Sequence, residues 1–256
     1  MRALLFAIAL AACRQRAPMP AVDRGDRAIP ALAAPRVHDR AITLDGVMNE
    51  PAWRLAGRTG GFVHPGTGAW VRGSRVLAEA WLLWSDARLF VAVKVWDPSP
   101  ASAFARDAVD PHVWERETGV EVTLQPGDPG DNRDYFEVQV GASGALWATR
   151  FDDYNRPVTR GPDGAMTFGH QGWSPAVSRA VGRQGGAMTV ELAVPWSDLS
   201  RARAATPPHV GDTWRVNLYS FRDGQRDSLA WSPILGEGNF HRASRWGRVT
   251  FAAGGP

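Results

Sequence analysis

The residues best equipped for chemistry are indoles and carboxylates that stand together in polar segments. Trp114 lies within Asp110-Pro111-His112-Val113-Trp114-Glu115-Arg116-Glu117, among hydrogen-bonding neighbours. Trp231, within Leu229-Ala230-Trp231-Ser232-Pro233, is the second indole in such a setting. Twelve Trp against three Tyr is an unusual balance. An indole is flat, broad and amphipathic, so it can stack on the C–H face of a sugar ring while its N–H bonds a hydroxyl. Most of the twelve belong to a core. Trp81 and Trp214 lie in alternating runs, Trp84 and Trp96 end apolar runs, and Trp53 follows Glu50-Pro51, where it would plug the bottom of a sandwich. The acidic pairs Asp107 with Asp110 and Glu115 with Glu117 have the residue types for glycoside hydrolysis. Solvated loop carboxylates are the simpler reading of both pairs.

Several function classes are excluded or disfavoured. The chain has no Gly-x-Ser-x-Gly elbow, His-Glu-x-x-His, phosphate loop or dinucleotide fingerprint. The net charge is +3, and Lys94 is the sole lysine. Arginines are scattered among Asp and Glu, so no basic stripe exists for nucleic acid; their number reflects base composition more than function. Residues 125–134 form a Gly-, Pro- and Asp-rich loop. Its Asp128, Asp131 and Asp134 offer hard oxygen ligands for a structural calcium, although the spacing is not that of an EF-hand. An ordinary hairpin loop explains the same residues.

These side chains must be positioned by strands. Short apolar or alternating runs cover residues 76–84, 89–96, 119–125, 135–140, 145–151, 187–194, 213–221 and 248–251. Tyr135, Glu137 and Gln139 share one face of their run, and Phe136, Val138 and Val140 the other. Residues 85–87 and 182–186 read as hairpin turns. Helical signals are confined to residues 51–55 and 196–199. Many short strands with turn-rich links predict an all-β fold, an antiparallel β-sandwich of jelly-roll type.

The N-terminus has a different character. Arg2 precedes a short apolar stretch, residues 3–12, which is too short to span a bilayer. Leu10-Ala11-Ala12-Cys13 resembles the bacterial lipobox, and Cys13 is the only cysteine. On that reading residues 1–12 are a lipoprotein signal peptide and Cys13 carries the lipid. Residues 13–38 are an Ala/Pro/Arg-rich tether, and residues 39–256 are the folded domain. The protein is then exported and lipid-anchored in the bacterial envelope, on its periplasmic or cell-surface side. No intramolecular disulfide is available to it.

A family resemblance emerges from ordered motifs. Leu44-Asp45-Gly46 with Asn49-Glu50-Pro51-Ala52-Trp53 resembles the opening of family 9 carbohydrate-binding modules. The alternating pair at residues 78–84 and 89–97 follows, then Trp114 leading into Val120-Glu121-Val122. Residues 190–199 match the strand ending in Pro-Trp, and residues 211–217 the Gly-Asp-x-Trp-Arg-x-Asn strand. Trp231-Ser232-Pro233, Asn239-Phe240-His241 and residues 246–251 look like the C-terminal signature. The resemblance covers residues 40–251 and implies a sandwich that binds sugars, often at chain ends, between two facing indoles.

Carried over to this chain, Trp114 and Trp231 form that pair. Glu121 accepts from vicinal hydroxyls, and Arg150, Asn217 and Asn239 add polar contacts. His241 reads instead as a structural hydrogen-bonding residue. The loop of Trp114 is one residue longer than the family pattern and has Glu for Asp, which puts sugar specificity in question. The implied function is non-catalytic binding of poly- or oligosaccharide in carbohydrate catabolism, with any glycoside hydrolase on a separate chain. Three alternatives stay open: b-type haem electron transfer of the DOMON-related kind, using His112 with Met166 or Met188; a glycoside-processing enzyme; and a structural envelope protein.

Overall fold

A computed structural model describes residues 28–71, 76–199, 202–236 and 240–254. Cys13 and the signal-peptide segment lie outside the described residues. In chain order the strands are β1 Ala31–Pro35, β2 Gly57–Gly61, β3 Leu77–Trp84, β4 Arg88–Trp96, β5 Gly119–Gln125, β6 Arg133–Gly141, β7 Leu146–Asp153, β8 Thr159–Arg160, β9 Met166–Thr167, β10 Ser178–Gln184, β11 Ala187–Pro195, β12 Thr213–Arg222, β13 Arg226–Ala230 and β14 Gly247–Ala252. One helical turn, α1, spans Val113–Arg116, and short 3-10 turns span Pro51–Leu55 and Trp196–Leu199.

Among the described residues the strands form two large sheets, with β8 and β9 paired as a separate two-stranded ribbon. The larger runs β1-β14-β12-β5-β6-β7, and β13 also pairs with β12. The smaller runs β10-β11-β4-β3-β2. Their facing sides follow the period of two expected for strands. Val120, Val122, Leu124, Phe136, Val138, Val140, Val216 and Leu218 of the larger sheet meet Ala80, Leu82, Val91, Val93, Val190 and Leu192 of the smaller in one apolar core. The result is the expected all-β antiparallel sandwich. Among the described residues, the one parallel pairing between strands is β1 with β14. Among the described residues, no helix is long and apolar enough to cross a membrane.

Two features depart from the sequence reading. Ala31–Pro35, placed in the tether, is an edge strand hydrogen-bonded to Gly247–Ala252, so the folded domain begins ahead of residue 39. Its Ala/Pro-rich sequence lacks alternation because an edge strand buries little side-chain surface. Trp53 does not plug the end of the sandwich. It lies on the outward side of the smaller sheet with Ile42, Leu83, Phe90 and Ala193.

That outward side is closed by the 42–56 segment. Gly46 has φ +85°, and a Cβ there would lie 2.3 Å from the Gly182 backbone nitrogen. Only glycine combines that backbone conformation with so close an approach. The contact explains the Leu44-Asp45-Gly46 motif physically: it seats the covering segment on β10.

Candidate functional site

The outward side of the larger sheet is covered only in part. Glu121 of β5, Glu137 and Gln139 of β6, and Trp147 and Phe151 of β7 point away from the core by strand alternation. β6 pairs Glu137 with Thr123 and Gln139 with Glu121, while β7 pairs Trp147 with Gln139 and Phe151 with Tyr135. The side chains therefore converge across three neighbouring strands. With Trp114 of α1, and Phe240 and His241 of the chain ahead of β14, they line a cavity of about 220 Å³.

Two asparagines hold the covering chain in place. Asn217 donates from Nδ2 to the Ser232 carbonyl at 2.9 Å, and its Oδ1 accepts from the Ser232 N–H at 2.9 Å. Asn132 donates to the His241 carbonyl at 2.8 Å and accepts from the Ala243 N–H at 2.6 Å. Tyr219 donates to the Phe240 carbonyl at 2.8 Å, and the two rings stack at 4.0 Å. His241 is fixed by the Tyr135 hydroxyl at 2.5 Å from Nδ1 and by stacking on Tyr154 at 4.1 Å.

The floor of the cavity is acidic. Gln139 Nε2 donates to Glu121 Oε2 at 3.0 Å and to Glu137 Oε1 at 2.7 Å. Glu121 is 2% exposed and Glu137 3%. Burial raises the Glu121 carboxyl well above its ordinary value, and the neighbouring Glu137 charge raises it further. Burial likewise pushes Glu137 up to about 7. His241 is pushed down to about 3, because burial disfavours the imidazolium. The separation of 3.8 Å between His241 Nε2 and Glu137 Oε2 is therefore a contact between the carboxyl and a neutral imidazole.

The walls are aromatic. Trp114 meets Trp147 edge-on at 4.6 Å, and His112 stacks on Trp114 at 4.5 Å. Trp147 Nε1 has no hydrogen-bond partner among the described residues. The site thus offers ring surfaces, one free indole donor and a set of carboxyl and amide oxygens. These groups suit a ligand with both apolar C–H surface and hydroxyl or amine groups.

Against this geometry, the site residues expected from the sequence divide. Trp114 and Glu121 line the cavity. Trp231 does not: it is 5% exposed within the core between the sheets. The strand alternation runs one residue past β13, because the Trp231 N–H bonds the Leu218 carbonyl at 2.9 Å. Leu229 and Trp231 therefore face inward, and Gly247 leaves room for the indole, which lies 2.4 Å from where a Cβ would sit. The expected facing pair is therefore not formed: the second indole lining the cavity is Trp147, and it packs edge-on against Trp114 rather than facing it.

Arg150 sits across from Phe136 on the opposite face of β7 and pairs with Asp152. Asn217 is saturated by backbone and positions the covering chain rather than a ligand. Asn239 lies outside the described residues. The candidate calcium carboxylates are each paired with arginine. Asp131 is 2.6 Å and Asp134 3.0 Å from Arg203, and Asp128 meets Arg215 and Arg248. Arg203 holds the Asp131 carboxyl below its usual range. Among the described residues, no group of three or more potential ligands is placed to hold a metal.

The remaining sequence candidates are dispersed. Glu115 meets His112 at 3.2 Å, whereas Glu117 is fully buried and accepts from the Ala103 and Phe104 N–H groups. Asp107 and Asp110 are exposed. Met188 is in the inter-sheet core, Met166 is in the exposed β8–β9 ribbon, and His112 stacks on Trp114. The cavity residues that the sequence reading left out are Glu137, Gln139, Trp147, Phe151 and Phe240. The available signal was the polar alternation of Glu137 and Gln139 beside Glu121.

A family model, carbohydrate family 9 binding domain-like, matches residues 44–253. The chain belongs to this family. Solved structures share its fold. A Bacteroides uniformis protein named for carbohydrate binding has a TM-score of 0.64 at 19% identity, covering 87% of this chain and 99% of its own. A carbohydrate binding module family 9 from Caldicellulosiruptor kristjanssonii, in complex with cellotriose, has a TM-score of 0.57 at 14% identity, covering 87% and 94%. The glucose complex of a module from that organism has the same score and identity, covering 87% and 96%. Curated proteins give no match.

Proposed function

We propose that the chain is a non-catalytic carbohydrate-binding protein that seats one sugar ring, at or near a chain end, in the cavity between Trp114 and the Glu121–Gln139–Glu137 floor. The single observation that carries this reading is the convergence of family membership and site. The family match spans the sandwich, and the cavity on its outer face joins indoles to buried, incompletely bonded oxygens. Its volume of about 220 Å³ lies below the range usual for drug-sized ligands, which suits a single ring. The complexes of the Caldicellulosiruptor module with cellotriose and glucose favour the same ligand class.

One ring buries little surface, so affinity is modest. Lipid attachment at Cys13 in the bacterial envelope would array many copies and strengthen retention of a polysaccharide through avidity. A separate glycoside hydrolase would then act on the retained chain.

The test is calorimetric titration with xylo- and cello-oligosaccharides, with and without reduced ends, on a soluble form that starts ahead of β1. Trp114→Ala is expected to lower affinity at least tenfold, with about 1 kcal/mol or less of stability lost, because the ring is only half-buried. Trp231→Ala is expected to cost about 3–5 kcal/mol by leaving a core cavity. Unchanged binding by Trp114→Ala would remove the cavity from the reading. Insensitivity to end reduction would remove the chain-end assignment.

A further inference from the structure

We propose that the ligand carries a protonated amine, and that this ammonium seats against Glu121, Glu137 and Gln139. The assignment deepens the carbohydrate reading and rests on it: the ligand class is an amino sugar with a free amine.

The floor presents three oxygens with no hydrogen-bond partner: Glu121 Oε1, Glu137 Oε2 and Gln139 Oε1. Their side chains are 2%, 3% and 2% exposed. A buried acceptor left without a donor is costly, and more so for a charged group. An ammonium brings three N–H donors and no acceptor, which matches three oxygens on one floor. A hydroxyl brings one donor together with lone pairs that need donors of their own.

Among the described residues, the other fully buried carboxylates already have donors, and half-buried Glu50, which also keeps one unpartnered oxygen, does not line the cavity. Asp97 faces Arg222 at 3.1 Å, and Glu79 accepts from Arg58 at 2.7 Å. Glu117 accepts from two backbone N–H groups and the Ser143 hydroxyl. Glu191 accepts from the Asp45 and Gly46 N–H groups and from Trp53 Nε1. By contrast, no Lys or Arg is among the residues lining the cavity. His241 does not supply the charge, since burial keeps its imidazole neutral. The missing cation is left to the ligand, and the aromatic walls of Trp114, Trp147, Phe151 and Phe240 favour a cation in the same space.

Binding has a proton signature. The titratable groups near the two glutamates are Tyr135 of β6, Tyr219 of β12 and His241 of the covering segment. Burial raises both Tyr135 and Tyr219, so they stay neutral. An arriving ammonium then favours ionisation of the glutamate pair, and a carboxyl proton leaves to solvent.

The experiment is calorimetry on the full-length chain near pH 7, in two buffers of different ionisation heat. The probes are a glucosamine tetramer with free amines, its N-acetylated counterpart and cellotetraose. The amine tetramer is expected to bind at least about tenfold tighter than either neutral tetramer, with net proton release. Glu137→Gln and Glu121→Gln should each bring that ratio toward one. The chain is net positive at +3, so its overall field does not attract a polycation.

Cellotetraose binding as tightly as the amine tetramer would overturn the ammonium assignment and leave the carbohydrate reading standing. An N-acetylated tetramer that matches the free amine would do the same. Binding of none of the three would overturn both. The comparison among ligands on the wild-type chain decides even if a Gln variant does not fold.

Discussion

The outward sides of the two sheets bury acidic residues in opposite ways. On the smaller sheet, Glu191 is fully buried, yet both its oxygens are engaged by the 42–56 segment. On the larger sheet, Glu121 and Glu137 share one amide donor and keep an unpartnered oxygen each. Burial raises all three carboxyls, but backbone N–H groups pull Glu191 back down. The difference teaches what each carboxyl is for. A carboxylate saturated by the chain fastens a covering segment, whereas one left short of donors at a cavity is available to a ligand.

The sharpest way to test that division is to remove Glu191. Glu191→Ala orphans the Asp45 and Gly46 N–H groups and Trp53 Nε1. We expect a loss of about 2–4 kcal/mol in urea unfolding, with ligand affinity unchanged in the folded protein. A loss below about 1 kcal/mol would show that the 42–56 segment is held by apolar contacts alone. Glu137→Gln should do the reverse. Stability should change by about 1 kcal/mol or less, in either direction, because a poorly compensated buried acid is replaced by a neutral isostere. Preferential binding of amine-bearing sugar should collapse.

The glutamates and the histidine of the site act on stability with opposite pH dependence. Glu137 is raised to about 7, so the folded state holds a proton that the unfolded chain has lost. Its contribution is present below the ordinary carboxyl value near 4.5 and is lost as pH rises toward 7. His241 is depressed to about 3, so its contribution is present above about 6.5 and is lost as pH falls toward 3. Glu121 is raised as well, so between pH 4.5 and 6.5 the two glutamates outweigh the histidine, and the wild-type site should lose stability as pH rises. Glu137→Gln should flatten that profile, and His241→Gln should steepen its fall. Parallel profiles for the two variants would sink this assignment.

The smallest effect is expected in the Asp-rich loop, a third arrangement in which carboxylates meet surface arginines. Arg203→Ala should cost about 1 kcal/mol or less, because the pairs with Asp131 and Asp134 are partly exposed. Added calcium should not raise the melting temperature of the wild type. A clear rise would restore the calcium reading for Asp128, Asp131 and Asp134.

Much of the sandwich was legible in the sequence. The run at residues 119–125 matches β5 at both ends, and those at 213–221 and 187–194 fall one residue short of β12 and β11. Their alternation was strong because each has one face in the core. β10, Ser-Arg-Ala-Val-Gly-Arg-Gln, was hidden because it is a half-exposed edge strand with no buried face to pattern it. β1 was hidden for a related reason. Its pairing with β14 is parallel and distant in sequence, and no local turn announces such a pair.

The site was legible in part. Trp114 stood out because its neighbours are polar, and Glu121 because it interrupts an apolar strand. Trp231 misled because Ser232 and Pro233 suggest a surface loop, whereas Asn217 reaches across to bond Ser232 and draws that segment inward. Counting alternation forward from Leu229 would have placed the indole in the core.

What the sequence by itself determined was local: which residues alternate, where glycine permits a turn, and which indoles lie beside polar groups. Those properties depend on neighbours one to four positions away. Tertiary structure alone decided which outward residues meet. Glu121, Glu137 and Gln139 come together through the β5–β6 register, and Trp147 and Phe151 join them through the β6–β7 register. Phe240 and His241 arrive from about a hundred residues away, held by Asn132 and Asn217. A one-residue slip in either register would send these side chains to the opposite face. The floor of unsatisfied oxygens is therefore a property of the pairing, not of any single segment.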